Sequence, residues 1–173
     1  MSNPRAVFFY QACLVLLLCG CTSYQLGTGD SGKLSFRTLY LEPVENSTHL
    51  SQSRALVSTK LRESFAKNPR VTLVNSPDAA DVTLSVAITA YRRDVLTVRD
   101  GDTGLARKFN LTLGTICTLK DRRGNRILFE KRPIEAQREA FTDSGQLQSE
   151  AQTLPILAEA VVAKVVRAAL DVW

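Results

Sequence analysis

From Val82 onward the chain alternates: Val82, Leu84, Val86, Ile88 and Ala90 are separated by Thr83, Ser85, Ala87, Thr89 and Tyr91. A period of two sends successive side chains to opposite faces, so this stretch is a half-buried strand. The pattern breaks at Arg92-Arg93-Asp94 and resumes with Leu96 and Val98. After Arg99-Asp100-Gly101-Asp102-Thr103-Gly104 it returns as Leu105, Phe109, Leu111, Leu113, Cys117 and Leu119 against Lys108, Asn110, Thr112, Gly114 and Thr118. Asp100-Gly101 suits a primed turn, which makes the two stretches the arms of one hairpin. At about 3.3 Å per residue each arm would run roughly 50 Å, well beyond a mean strand of about 6 residues. Such a hairpin either bends at a bulge, expected at Arg92 to Asp94, or carries its tip past the core.

The flanking segments supply a sheet and its cover. Leu34 to Pro43, with Leu34, Phe36 and Leu39-Tyr40-Leu41, has the pattern of a first strand stopped by proline, and Glu45 to Thr48 is the turn after it. Val57, Leu61 and Phe65 at steps of four predict an amphipathic helix over Ser51 to Lys67, with Ser51 or Thr48 as cap and Asn68-Pro69 as its end. Val71 to Val74 is a short strand, parallel to the first if both share a sheet. After the hairpin, Ile127-Leu128-Phe129 starts a strand that Pro133 confines to an edge or a bulge, and Arg138 to Gly145 is an unpatterned connection. Leu154, Leu157, Val161, Val165, Ala168 and Val172 then predict a last helix, secure from Pro155. A second apolar row, Val162, Val166, Ala169 and Trp173, spreads over more than half its circumference, so the other helix or a partner must share its cover. Its charges and length argue against a membrane span. The class is α+β: a small mixed sheet of four to five strands, including the long hairpin, and two helices.

The first residues predict that this domain lies outside the cytoplasm, as a lipoprotein or, alternatively, as a plain secreted protein or behind an uncleaved anchor. Arg5 precedes an apolar run from Ala6 to Leu18, which ends in Leu18-Cys19-Gly20-Cys21. That ending resembles the lipobox of bacterial lipoproteins, in which the chain is cut before the cysteine and the cysteine is acylated. Residues 1–20 are then a signal peptide, Cys21 carries diacylglycerol and an N-acyl chain, 21–33 form the lipidated end and a flexible tether, and 34–173 make one domain. At roughly 0.8 kcal/mol per buried methylene, three acyl chains hold a protein on a membrane essentially permanently. Thr22 stands where Asp would retain such a lipoprotein at the inner membrane, so the expected location is the periplasmic face of the outer membrane.

Removing 20 of 173 residues leaves 153, enough for one domain with an adequate core, and takes the formal charge from +5 to +4. For an exported protein that balance points to envelope anions such as lipid phosphates rather than to nucleic acid. Cys117 is the one thiol left, so no intrachain disulfide can form. It falls on the apolar face of its strand, as an inert core residue would. His49 has no neighbouring His or Cys at ligand spacing, and no phosphate-binding loop is present. No enzyme, cofactor or metal site is expected.

Tyr24-Gln25-Leu26-Gly27 behind Cys21, Leu39 to Asn46, Val71 to Val74, Ala79-Ala80-Asp81-Val82 and Asp121-Arg122-Arg123-Gly124 stand in an order and spacing that resembles the LptE family of lipopolysaccharide-assembly lipoproteins. The resemblance covers most of the mature chain. It implies a small mixed sheet with two helices packed on one face. It further implies a non-catalytic protein that plugs and assists assembly of the LptD β-barrel and contacts lipopolysaccharide on its way to the outer leaflet. Arg99 lies where the family places a basic residue beside its hairpin turn, where it would hold a phosphate bidentately. The family's second basic position has no counterpart, since 142–163 contain no Lys or Arg, and Arg107 and Lys108 across the hairpin are the substitutes, with Arg92 and Arg93 nearby. The alternative is a lipoprotein activator of a peptidoglycan synthase. Such activators share the lipobox and the strand, helix, strand succession, but they carry a long Pro-rich tether, whereas residues 22–33 span at most about 40 Å.

Overall fold

The computed structural model of the chain describes residues 34–98, 106–141 and 146–172, except the side chains at 97–98, 106–107 and 146. The expected signal peptide, Cys21, the expected tether, the expected turn at Arg99 to Gly104 and the side chain of Arg107 lie outside the described residues.

Among the described residues six strands make one sheet: β1 (Thr38–Leu41), β2 (Glu45–Asn46), β3 (Thr72–Val74), β4 (Val82–Val98), β5 (Ala106–Asp121) and β6 (Arg126–Phe141). The order is β3-β1-β4-β5-β6, with β2 also on β4. β1 runs parallel to both β3 and β4, and β5 runs antiparallel to its neighbours β4 and β6, so the sheet is mixed as expected. The two-residue β2 is an addition: Glu45 and Asn46, read as a turn, pair with Ala87 and Ile88 first.

One face of the sheet holds the core. Leu39 and Leu41 of β1, Val82 to Ile88 at even positions of β4, and Leu111, Leu113, Cys117 and Leu119 of β5 form a single buried cluster with both helices. Helix α1 (Gln52–Ala66) contributes Val57, Leu61 and Phe65, one side chain per turn. Helix α2 (Gln146–Leu170) contributes Leu157, Val161, Val162, Val165 and Ala169 and packs against α1, β5 and β6. Its wide apolar surface is thus shared between sheet and helix. Among the described residues no helix is long and apolar enough to cross a membrane.

Three expectations need correction. Ser51 holds the N-cap position of α1 but is in the helical region and makes no side-chain cap bond, and Thr48 Oγ1 accepts the Leu50 N–H, before the helix, at 3.3 Å. The entry is built instead on Asn46, whose Oδ1 accepts from the N–H and the hydroxyl of Thr48, and whose Nδ2 donates to the Leu50 carbonyl. Residues 138–141 are strand, not connection; the ladder with β5 carries β6 to Phe141, although Ala136 and Ala140 make a faint apolar pattern. Helix α2 begins at Gln146 and has Pro155 in its interior, where proline ordinarily costs about 3 kcal/mol. Burial of Leu154 and contacts of Glu150 with β4 hold the turns before it. Pro133 behaves as expected: β6 is the sheet edge, and its register shifts just before that proline.

A buried carboxylate ties the start of β4 to its neighbours. Asp81 Oδ2 accepts the backbone N–H groups of Arg37 at 2.7 Å and Thr38 at 3.0 Å, while the Arg123 guanidinium lies 2.6 Å from Oδ1. The Asp81 N–H donates to Thr38 Oγ1, and the Arg122 N–H donates to the Asp81 carbonyl. The Arg37 N–H, aided by Thr38 and Arg123, holds the carboxyl below its usual range against the opposing effect of burial. Folded Asp81 therefore binds a proton less readily than unfolded Asp81. Its contribution is full above the ordinary value of 3.8 and is lost as pH falls through the lowered native value. Asp81→Ala is expected to reduce stability at neutral pH by about 1.5–3 kcal/mol, the range for hydrogen bonds to a charged group. Urea unfolding of both proteins at pH 7 and pH 3 checks this; the gap should narrow at pH 3, and an equal gap would show that the charge is not what matters.

The distal half of the hairpin as candidate functional site

The hairpin changes phase halfway along. Ile88 faces Thr115 and Ala90 faces Gly114, so Thr89 is an extra residue in β4, a one-residue bulge. Before it the even residues of β4 face the helices. After it the odd ones do: Tyr91 lies opposite Leu113, Arg93 opposite Leu111 and Val95 opposite Phe109. The bend is therefore at Thr89, with further shifts around Thr97, and not at the expected Arg92 to Asp94.

The switch divides the candidate cations between the two faces. Arg92 and Lys108 occupy the face without helices. Arg92 reaches Glu135 at 3.4 Å across the intervening strand, because Gly114 lies between them with no side chain. A Cβ there would sit 3.2 Å from that of Ala90 and 3.4 Å from Glu135 Oε1. Lys108 is 2.7 Å from Glu139 and lies over the Phe141 ring at 5.5 Å. Arg93 is on the helix face, paired with Glu150 of α2 and 5.5 Å above the buried Phe109 ring. Tyr91 donates its hydroxyl to the same Glu150. Burial, and secondarily the Glu150 charge, push the Tyr91 hydroxyl up to about 12.

Each described candidate thus has a carboxylate partner, and the structure brings Arg92 and Lys108 to one surface while turning Arg93 away from it. Beyond the core, Val95, Leu96 and Phe141 are 55%, 49% and 55% exposed, so apolar surface accompanies the cations. A second basic group, Arg138 of β6 with Lys164 and Arg167 of α2, was not legible in the sequence. It is assembled by the packing of α2 on β6, and the only hint was Arg138 in a segment not read as strand. Cys117 is buried, and its thiol is pushed up to about 11 by that burial. His49 stands edge-on to Tyr91 at 5.8 Å between ring centroids. Among the described residues no three of His, Cys, Asp and Glu gather as a metal site would require.

The family model for lipopolysaccharide-assembly proteins, LptE, matches residues 36–169. An uncharacterized lipoprotein B from Nitrosomonas europaea has a similar structure, with a TM-score of 0.57 and 17% identity over 80% of this chain and 85% of that one. A minor lipoprotein from Acinetobacter baumannii gives 0.52 and 22% over 78% and 92%. A hypothetical protein from Chlamydia trachomatis gives 0.55 and 10% over 79% and 96%. Likeness at these identities establishes the fold alone. No curated protein matches the chain.

Glu150→Gln removes the charge that Tyr91 and Arg93 share. Tyrosine titration by ultraviolet absorbance is expected to show Tyr91 falling below about 12 yet staying above its ordinary 10.0, because burial remains the larger cause. A return to 10.0 would mean that the first turns of α2 had come off the strand.

Proposed function

The chain belongs to the LptE family of lipopolysaccharide-assembly proteins, and from that membership we propose that it is a non-catalytic lipoprotein, anchored through lipid on Cys21 at the periplasmic face of the outer membrane. There it plugs and helps assemble an LptD-like β-barrel and touches lipopolysaccharide with the distal half of its hairpin. Two of the structural relatives are themselves called lipoproteins, which supports the envelope setting. The family match favours this reading over the activator of a peptidoglycan synthase.

The observation that carries the ligand is the neighbourhood of Arg92 and Lys108 with exposed Leu96 and Phe141. An amphiphile with phosphates and acyl chains needs cations beside apolar surface. The existing partners do not block this. Exposed ion pairs are worth only about 0–1 kcal/mol, so Glu135 and Glu139 hold their cations weakly enough for a phosphate to compete for them. The sequence resemblance adds Arg99 and Arg107 as further contact candidates. The sheet face without helices offers Thr83, Ser85, Ala87, Ala90, Gly114 and Thr118, small side chains that let the wall of an enclosing barrel approach closely.

The mature protein, extracted in detergent from cells fed a palmitate analogue, tests both the anchor and the ligand. Wild type should carry the label and Cys21→Ser should not. Arg99→Asp combined with Lys108→Glu should bind lipopolysaccharide at least tenfold more weakly, about 1.4 kcal/mol, with the effect shrinking at high salt. Equal label would sink the anchor, and unchanged affinity would reduce these residues to surface charge.

A further inference from the structure

The outer side of β6 is an open sheet edge that α2 overhangs. Lys164 Nζ donates to the Glu135 carbonyl at 2.7 Å, and Arg138 donates to the Gln137 carbonyl at 3.0 Å. Thr115 of β5 donates instead to the Ile134 carbonyl. Ile134 therefore turns its carbonyl inward and Glu135 and Gln137 turn theirs outward, and the alternation of an antiparallel ladder extends that outward set to Glu139. A cleft of about 500 Å³ runs beside residues 135–138 of β6, Glu135 among them, and is lined on the α2 side by Ala160, Ala163, Lys164 and Arg167. Ala160 and Ala163 leave the helix side of this cleft shallow in side-chain bulk.

Charge is segregated across the strand. Glu135 and Glu139 point to the face without helices, where Arg92 and Lys108 pair with them. Arg138 shares the helix face with Leu111 and Arg93. Among the described residues, Arg138, Lys164 and Arg167 have no carboxylate within ion-pair distance. The cleft thus combines the outward groups of an edge strand, two of whose carbonyls are held by side chains and not by a neighbouring strand, a helix wall and three cations with no carboxylate partner among the described residues. An edge of this kind invites a further strand, and lysine beside it is a usual guard against unwanted pairing. Here the guard is also a selector, since a segment carrying carboxylates would replace the Lys164 contact with a stronger one.

We propose that the β6 edge takes an extended acidic peptide segment of a partner protein as an added strand. Its backbone pairs with Glu135, Gln137 and Glu139, and the acidic side chains at every second position face Arg138, Lys164 and Arg167. This surface is separate from the one proposed for lipopolysaccharide and does not rest on that reading.

The probe is a fluorescent nonapeptide of alternating Glu and Thr, added to the full mature protein in detergent. Saturable binding is expected, with amide exchange slowed at Gln137 and Glu139, and none with Lys in place of Glu. Lys164→Glu with Arg167→Glu should weaken binding at least tenfold through charge. Gln137→Pro should do the same through the outward N–H alone, because proline is tolerated on a sheet edge. A peptide N-methylated at alternate positions should fail as well, with no change to the protein. Absence of binding overturns the proposal. So does equal binding of the N-methylated peptide, which would be charge attraction without strand addition, or displacement of the peptide by lipopolysaccharide, which would make the cleft a phosphate site.

Discussion

One unpaired residue, Thr89, decides which way the far half of the longest strand faces. Without that slip Arg92 and Asp94 would point into the helix layer, and Tyr91, Arg93 and Val95 would point away from it. With it, Arg93 and Tyr91 share Glu150 of α2, which fixes the first turns of a helix that carries a proline in its interior. The same slip places Ala90 against Gly114, and the gap above that glycine lets Arg92 reach Glu135 two strands away. The bulge is thus the joint between a half of the sheet given over to core packing and a half that also carries charged pairs, Arg92 with Glu135 and Lys108 with Glu139, on its open face.

The part of the fold set by burial was legible. Leu84, Val86 and Ile88 on β4, Leu111 and Leu113 on β5, and Val57, Leu61 and Phe65 on α1 announce their faces through periodicity, because the buried positions are filled with large aliphatic or aromatic groups. Where the buried side is filled by alanine, as at Ala136 and Ala140 of β6, the period carries little hydrophobic contrast, and the strand is specified by the neighbouring ladder instead. The bulge was misplaced for a related reason. Thr89 has no distinguishing chemistry, and the visible break at Arg92 to Asp94 comes three residues later. The odd-numbered Tyr91 and Val95 were the available sign of a phase change. Lipidation at Cys21 and the role of Arg99 lie outside the described residues and rest on the sequence resemblance.

For the candidate site, residue types were readable and partnerships were not. Arg92, Arg93 and Lys108 looked like a common basic edge, yet each meets a carboxylate from an element distant in sequence: Glu135, Glu150 and Glu139. Such pairing turns a basic sequence into a surface of alternating charge, while Arg138, Lys164 and Arg167, which have no carboxylate partner among the described residues, gather beside the edge of β6, where the sequence had shown no pattern. The fold accordingly offers two chemically distinct surfaces. One has exchangeable ion pairs next to exposed apolar groups, suited to an amphiphile, and the other has a strand edge beside cations.

The central claim is that lipopolysaccharide meets the distal half of the open sheet face. A photoreactive phenylalanine analogue placed at Asn110, between Arg92 and Lys108, and separately at Lys120 near the other end of β5, tests it in living cells after irradiation. The account requires a lipopolysaccharide adduct from position 110 and none from position 120. Adducts from position 120 alone, or from both in equal yield, would contradict it.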